Sequence, residues 1–103
     1  LTGEFGGIGI QVETRNGRAV VIAPIEGTPG ARAGILRGDV IASIDGKPVE
    51  SGPSMDRVVD QLRGKPKTKV AIGLYRPSTQ KHIDLTITRE VIHIESVRDV
   101  HVL

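Results

Sequence analysis

The chain has 103 residues, a formal net charge of +2 and no cysteine, and 38% of its residues are hydrophobic but only 2% aromatic. That length suits one small domain with a core of Val, Ile, Leu and Ala, and so few rings argue against stacking on nucleobases. Disulfide and thiolate chemistry are excluded, no apolar run reaches the roughly 18 residues of a membrane-spanning helix, and basic residues are interspersed with acidic ones.

In chain order, residues 1–6 are too few for a strand and its connection. Gly7-Ile8-Gly9-Ile10 follows, and glycines at such a turn leave backbone N–H groups free to converge on an anion. This is the candidate carboxylate site. Ile8, Ile10 and Val12 then share one face of a period-two strand, with Gln11 and Glu13 on the other. Asn16-Gly17 predicts a tight reversal. Residues 19–23 are apolar on both faces, which predicts an inner strand covered on two sides and ended by Pro24.

Thr28 is suited to cap a short helix that has Pro29 in its first position and Gly34 as its stop. Asp39 fastens a turn before a strand over residues 40–44, and Asp45-Gly46 forms the next turn. Ser54 is the expected cap of a second helix, with Asp56 near its positive end, Arg63 near its negative end and Gly64 terminating it. Met55, Val59 and Leu62 form one stripe of that helix, with Val58 beside it. The densest basic stretch, Lys65-Pro66-Lys67-Thr68-Lys69, reads as a solvated loop. Residues 69–75 and 81–88 alternate as a hairpin across residues 76–80. A last strand over residues 91–97 places Ile92 and Ile94 inward and His93 and Glu95 outward, and residues 98–103 show no clear element.

The glycine loop, Thr28-Pro29-Gly30-Ala31-Arg32-Ala33-Gly34-Ile35 and Arg37-Gly38-Asp39-Val40-Ile41-Ala42-Ser43-Ile44-Asp45-Gly46, in that order, resemble a PDZ domain. From Gly3-Glu4-Phe5-Gly6-Gly7-Ile8-Gly9-Ile10 through Leu62-Arg63-Gly64-Lys65-Pro66 to Arg89-Glu90-Val91-Ile92, the sequence is more closely similar to the PDZ domain of carboxyl-terminal processing peptidases, the tail-specific serine proteases. The resemblance implies an α+β fold: a small PDZ-like antiparallel β-barrel or sandwich of five to six strands with two helices. It also implies the circularly permuted bacterial order, in which residues 91–97 take the place of a missing first strand. Residues 1–97 are then the PDZ domain, and residues 98–103 a tail leading towards an absent protease core. A first residue of Leu1 fits a piece of something longer.

By the same resemblance, the chain is a non-catalytic peptide-binding module that recognises apolar C-terminal tails and gates or delivers them to the protease core. The tail would add to the edge of the strand that follows the glycine loop, with its last side chain between strand and second helix. The implied peptide-binding residues are Gly7, Ile8, Gly9, Ile10, Gln11, Val12, Met55, Val59 and Leu62. Animal PDZ domains often carry a basic residue just before the loop, whereas this chain has Glu4 and Phe5, so Arg63 and Arg89 stand as alternative partners for the carboxylate. A second reading is an intramolecular regulatory or structural domain whose groove packs on the protease core without binding free peptide.

Catalysis by this chain itself finds no support, because its serines lack Gly-x-Ser-x-Gly or Ser-x-x-Lys context. The serine and lysine of the implied parent peptidase belong to a separate domain. His82, His93 and His101 lack zinc-motif spacing, so neither a metal nor a cofactor is expected. Expected partners are C-terminal protein tails and the parent's protease core, with no nucleic acid, in the periplasm or cell envelope. The apolar Val100-His101-Val102-Leu103 resembles a ligand for such a groove, which suggests a monomer whose tail enters a neighbouring molecule at high concentration.

Overall fold

The structure is a computed structural model that describes residues 3–49, 55–94 and 101–103. Its strands are β1 (Gly3–Gly7), β2 (Ile10–Arg15), β3 (Arg18–Pro24), β4 (Val40–Ile44), β5 (Lys47–Pro48), β6 (Lys69–Arg76), β7 (Lys81–Thr88), β8 (Glu90–Ile94) and β9 (His101–Val102). Two helices, α1 (Pro29–Arg32) and α2 (Asp56–Leu62), interrupt them. The larger sheet runs β7-β6-β4-β3-β2-β9 with β5 against β4, and β1 and β8 form a separate antiparallel pair. These are open antiparallel sheets, not a closed barrel, and the described residues hold more strands than the five to six expected.

The alternating patterns fold as their periods require. Ile8, Ile10 and Val12 are all fully buried, and Val70, Ile72 and Leu74 of β6 face the same core. The hairpin of β6 and β7 pairs Lys69 with Thr88 through to Arg76 with Lys81. At the first reversal Asn16 and Gly17 have φ of 52° and 74°, the two positive values that a tight hairpin turn needs.

Several expectations need correction. Residues Gly3–Gly7 do form a strand, and β8 pairs with it from Gly3↔Ile94 to Gly7↔Glu90 rather than replacing it. Short as it is, β1 gains a ladder because β8 supplies a partner for every one of its residues. β3 is inner in the sheet but not covered on both sides: Ala19 and Val21 are buried, while Val20, Ile22 and Ala23 are half-exposed. The expected cap Ser54 lies outside the described residues. Met55 occupies the N-cap position without a side-chain bond, and Asp56 stands in the first turn as expected. The face that α2 buries runs through Met55, Val58 and Leu62, with Val59 half-buried at its margin. Finally, the segment without an expected element ends in β9.

Two arginines hold the frame. Arg89, 9% exposed, donates from Nε to the Leu62 carbonyl and from Nη2 to the Gln61 carbonyl, both at 2.9 Å, and from Nη1 to Thr68 Oγ1 at 2.9 Å. It thereby satisfies carbonyls that the end of α2 leaves without helical partners. Arg76 clamps the buried Asp39 carboxylate from Nε (2.9 Å) and Nη2 (2.8 Å), while Leu36 N–H donates to the same carboxylate at 2.9 Å. Asp39 thus fastens its own turn, and also ties it to the end of β6.

Candidate peptide-binding groove

The glycine loop joins β1 to β2, and its peptide planes are held from behind. The Ile8 carbonyl accepts from Gly30 N–H at 2.7 Å, and the Gly9 carbonyl accepts from Ile25 N–H at 2.8 Å. Thr28 Oγ1, which also takes the Ala31 N–H as the cap of α1, lies 3.2 Å from that same Gly9 carbonyl. With the carbonyls tied towards α1, the N–H groups of the loop point the opposite way. Gly9 makes this geometry accessible: its φ is +81°, and a Cβ there would lie 2.2 Å from Thr28 Cβ.

The three N–H groups of Ile8, Gly9 and Ile10 converge on one oxygen, the backbone oxygen of Leu103, at 3.2, 2.6 and 3.1 Å. Leu103 N–H returns a bond to the Ile10 carbonyl at 2.9 Å. Upstream, β9 lies antiparallel along β2 with Gln11 opposite Val102 and Val12 opposite His101. The Leu103 side chain is fully buried and belongs to one cluster with Ile8, Ile10, Met55, Val58 and Leu62. The groove between β2 and α2 therefore holds an extended segment, its backbone added to the strand edge and its last side chain sunk between strand and helix.

Of the residues expected here, Ile8, Gly9 and Ile10 supply the donors and Gln11 pairs with the occupant. Gly7 stands against the end of the segment, since a Cβ there would meet the Leu103 carbonyl carbon at 2.9 Å and the Phe5 ring at 2.8 Å. Val12 takes part through its backbone only, because its side chain is buried in the core. Met55 and Leu62 join the apolar cluster, whereas Val58 takes the fully inward place that the stripe reading assigned to Val59. Spacings of three and four residues fit one helix face equally well, so sequence alone could not choose between them.

The basic partner is Arg63. Its Nε and Nη2 donate to the Val102 carbonyl at 3.1 and 2.7 Å, and its guanidinium carbon lies 4.0 Å from the centre of the Phe5 ring. It grips the penultimate carbonyl instead of the oxygen in the loop. Arg89 is committed to α2 and Thr68 and has no part in the groove. Sequence reasoning missed Phe5 as a stacking platform and the second task of Thr28 and Gly30, which hold the loop as well as start a helix; neither leaves a signal beyond the N-cap pattern.

An open cleft of about 370 Å³ lies elsewhere, lined among others by Ala19, Val40, Tyr75 and His82, and shares no residue with the groove. Among the described residues no group of His, Asp or Glu could hold a metal ion. No helix of the described residues is long and apolar enough to cross a membrane.

A family model described as PDZ domain matches residues 6–87. The chain belongs to the PDZ domain family. It is 42% identical over 96 residues to a carboxy-terminal-processing protease of Bartonella bacilliformis, covering 93% of this chain and 22% of that protein. It is 40% identical over 97 residues to a probable CtpA-like serine protease of Staphylococcus aureus, covering 94% of this chain and 19% of that one. The PDZ chain thus spans about a fifth of the length of the curated relatives it matches.

Among solved structures, the PDZ domain of a carboxy-terminal protease from Vibrio cholerae in complex with peptide superposes with a TM-score of 0.77 at 23% identity, covering 89% of this chain and all of that one. The photosystem II D1 C-terminal processing protease superposes with a TM-score of 0.74 at 32% identity, over 82% of this chain and 23% of that one. The fold is that of the PDZ domains of C-terminal processing proteases.

Proposed function

We propose that this PDZ domain is the non-catalytic recognition module of a carboxyl-terminal processing serine protease, binding apolar C-terminal tails of substrate proteins and delivering them to, or gating, the protease core. The observation that carries this reading is the convergence of the Ile8, Gly9 and Ile10 N–H groups on a single backbone oxygen, that of Leu103. A terminal carboxylate offers such an oxygen with a full negative charge, and aligned N–H donors favour that charge. A domain of the same fold from Vibrio cholerae was solved in complex with peptide, in keeping with peptide binding on this fold. The parent enzyme is then a Ser/Lys-type endopeptidase of the periplasm or cell envelope, its nucleophile and base lying outside this domain.

Magnitudes make the binding weak. Burying a Leu-sized side chain contributes about 1.5–3 kcal/mol, and hydrogen bonds to a charged group about 1.5–3 kcal/mol each. Ordering a flexible tail removes roughly 2–5 kcal/mol, and lost translational freedom an estimated 4 kcal/mol or more. Transient engagement suits delivery of one substrate after another.

The test is an NMR titration of the isotope-labelled chain with a short peptide ending in a free apolar carboxylate and with its amidated twin. The reading expects shifts at residues 8–12 and 55–63 from the free acid only. Equal shifts from both peptides would show that the loop does not recognise an anion, and no shift from either would favour the packed, regulatory reading.

A further inference from the structure

We propose that the segment His101–Leu103 is the resident occupant of this groove in the same molecule, and that an external tail binds by displacing it. The inference rests on the tail-binding reading. It departs from the expectation that this segment enters a neighbouring molecule, because the contacts described above are made within one chain.

Every polar group that an incoming tail needs is already engaged. The three loop N–H groups, the Ile10 carbonyl and both donating nitrogens of Arg63 are bonded to Leu103 and Val102. The edge of β2 next to the glycine loop is taken as well: β3 covers one side and β9 pairs with Gln11 and Val12 on the other, so a strand added at that place has no free ladder until β9 leaves. Val102 is 3% exposed and Leu103 is fully buried, so the pocket for a terminal apolar side chain is filled. Occupation by the segment and by a tail is mutually exclusive on geometry alone.

The segment is nevertheless built to leave. Its ladder with β2 covers only the pairs Gln11↔Val102 and Val12↔His101, and the His101 side chain is exposed. Its advantage is proximity, since a short connection to β8 gives it an effective concentration of about millimolar. An external tail carries no such advantage and must compete against it. If the open groove is the minor state at about 1–10%, the apparent affinity for tails falls by about 10- to 100-fold.

Leu103→Asp tests this, because a carboxylate placed among Ile8, Ile10 and Leu62 is not tolerated in a buried apolar pocket. In the unmodified chain the Ile8, Gly9 and Ile10 amides are expected to exchange slowly with solvent, to the same extent at every protein concentration. In Leu103→Asp they exchange fast, and a free-acid peptide ending in Val-Leu binds at least about tenfold more tightly. Protection that fades on dilution would place the segment in a neighbouring molecule and overturn the proposal. Equal affinity of both chains for the peptide would overturn self-occupation while leaving tail binding intact. Fast amides in the variant with no peptide binding to either chain would instead fail the tail-binding reading, and displacement with it. Should the variant not fold, saturating the unmodified chain with peptide gives the same answer: the Val102 and Leu103 amide signals must move to random-coil positions, and their staying in place overturns displacement.

Discussion

Arg63 lies with its guanidinium 4.0 Å above the Phe5 ring and presents two of its nitrogens to the Val102 carbonyl. The ring from β1 stiffens a side chain that would otherwise lose rotamer freedom on gripping an occupant. Because the grip falls on a backbone carbonyl, it reads no side chain and serves any extended tail.

Made in a Leu103→Asp chain, whose groove the resident segment has left, Arg63→Ala is therefore expected to weaken tail binding by about 10- to 100-fold, the loss of about 1.5–3 kcal/mol for charged hydrogen bonds. Arg63→Lys recovers part of this at most, since an ammonium lacks the flat fork that both stacks and donates twice. Calorimetric titration with a free-acid peptide checks both. Equal affinity of the open-groove chain with and without the alanine substitution would remove Arg63 from tail binding.

Gly9 and Gly27 share a φ of +81°, but a Cβ at Gly27 meets nothing within 4 Å while one at Gly9 collides with Thr28. Gly27→Ala should cost only the backbone preference, about 1–2 kcal/mol. Gly9→Ala adds steric displacement of the loop, typically about 1–3 kcal/mol more, and should also abolish tail binding. Urea denaturation of both variants, with a peptide titration of each, separates backbone strain from loss of the site.

The Asp39 carboxyl is pushed up by burial, but the hydrogen bonds from Arg76 and Leu36 and the charge of Arg76 outweigh this and hold it below its ordinary value. A carboxyl with its folded pKa below its unfolded value, about 3.9 for Asp, contributes stability that is fully present above the unfolded value. That contribution is lost as pH falls through the lower, folded one. Asp39→Asn should therefore be less stable than the unmodified chain at neutral pH, with a gap that narrows below about pH 4. Chemical denaturation across the acid range shows this, and a pH-independent gap would contradict it.

Arg89→Met keeps an unbranched apolar stem but removes donors to Gln61, Leu62 and Thr68. Leaving helix-end carbonyls without partners should cost at least about 2 kcal/mol in unfolding free energy. Amide exchange at residues 62–64 should speed up more than in β6 and β7. Uniform acceleration would mean that Arg89 supports the fold at large and not the end of α2.

Much of this arrangement was legible in the residues. The alternating runs of β2, β6 and β7 announce their buried faces, and Thr28-Pro29 with Gly34 bounds α1 within a residue. The glycine loop was legible as a turn that leaves several N–H groups free to converge on one acceptor, because glycines stand at the strand entry. What escaped depends on contacts between distant segments. Five residues at the start of the chain do not look like a strand until β8 lies beside them. Val58 and Val59 are equivalent by spacing, and only the packing of α2 on the core sets Val58 inward and Val59 at the margin. The choice between Arg63 and Arg89 turned on which stands at the mouth of the groove and which behind the helix, and no local pattern carries that information.

Arg89 is the single residue between β7 and β8, and its side chain grips the last two carbonyls of α2. A helix that leans away to admit a bulkier tail must stretch those bonds or drag the strand junction along. The width of the groove and the heading of β8 behave as one lever with Arg89 as its pin, so a load on one arm is felt at the other without any change in the sheet between them.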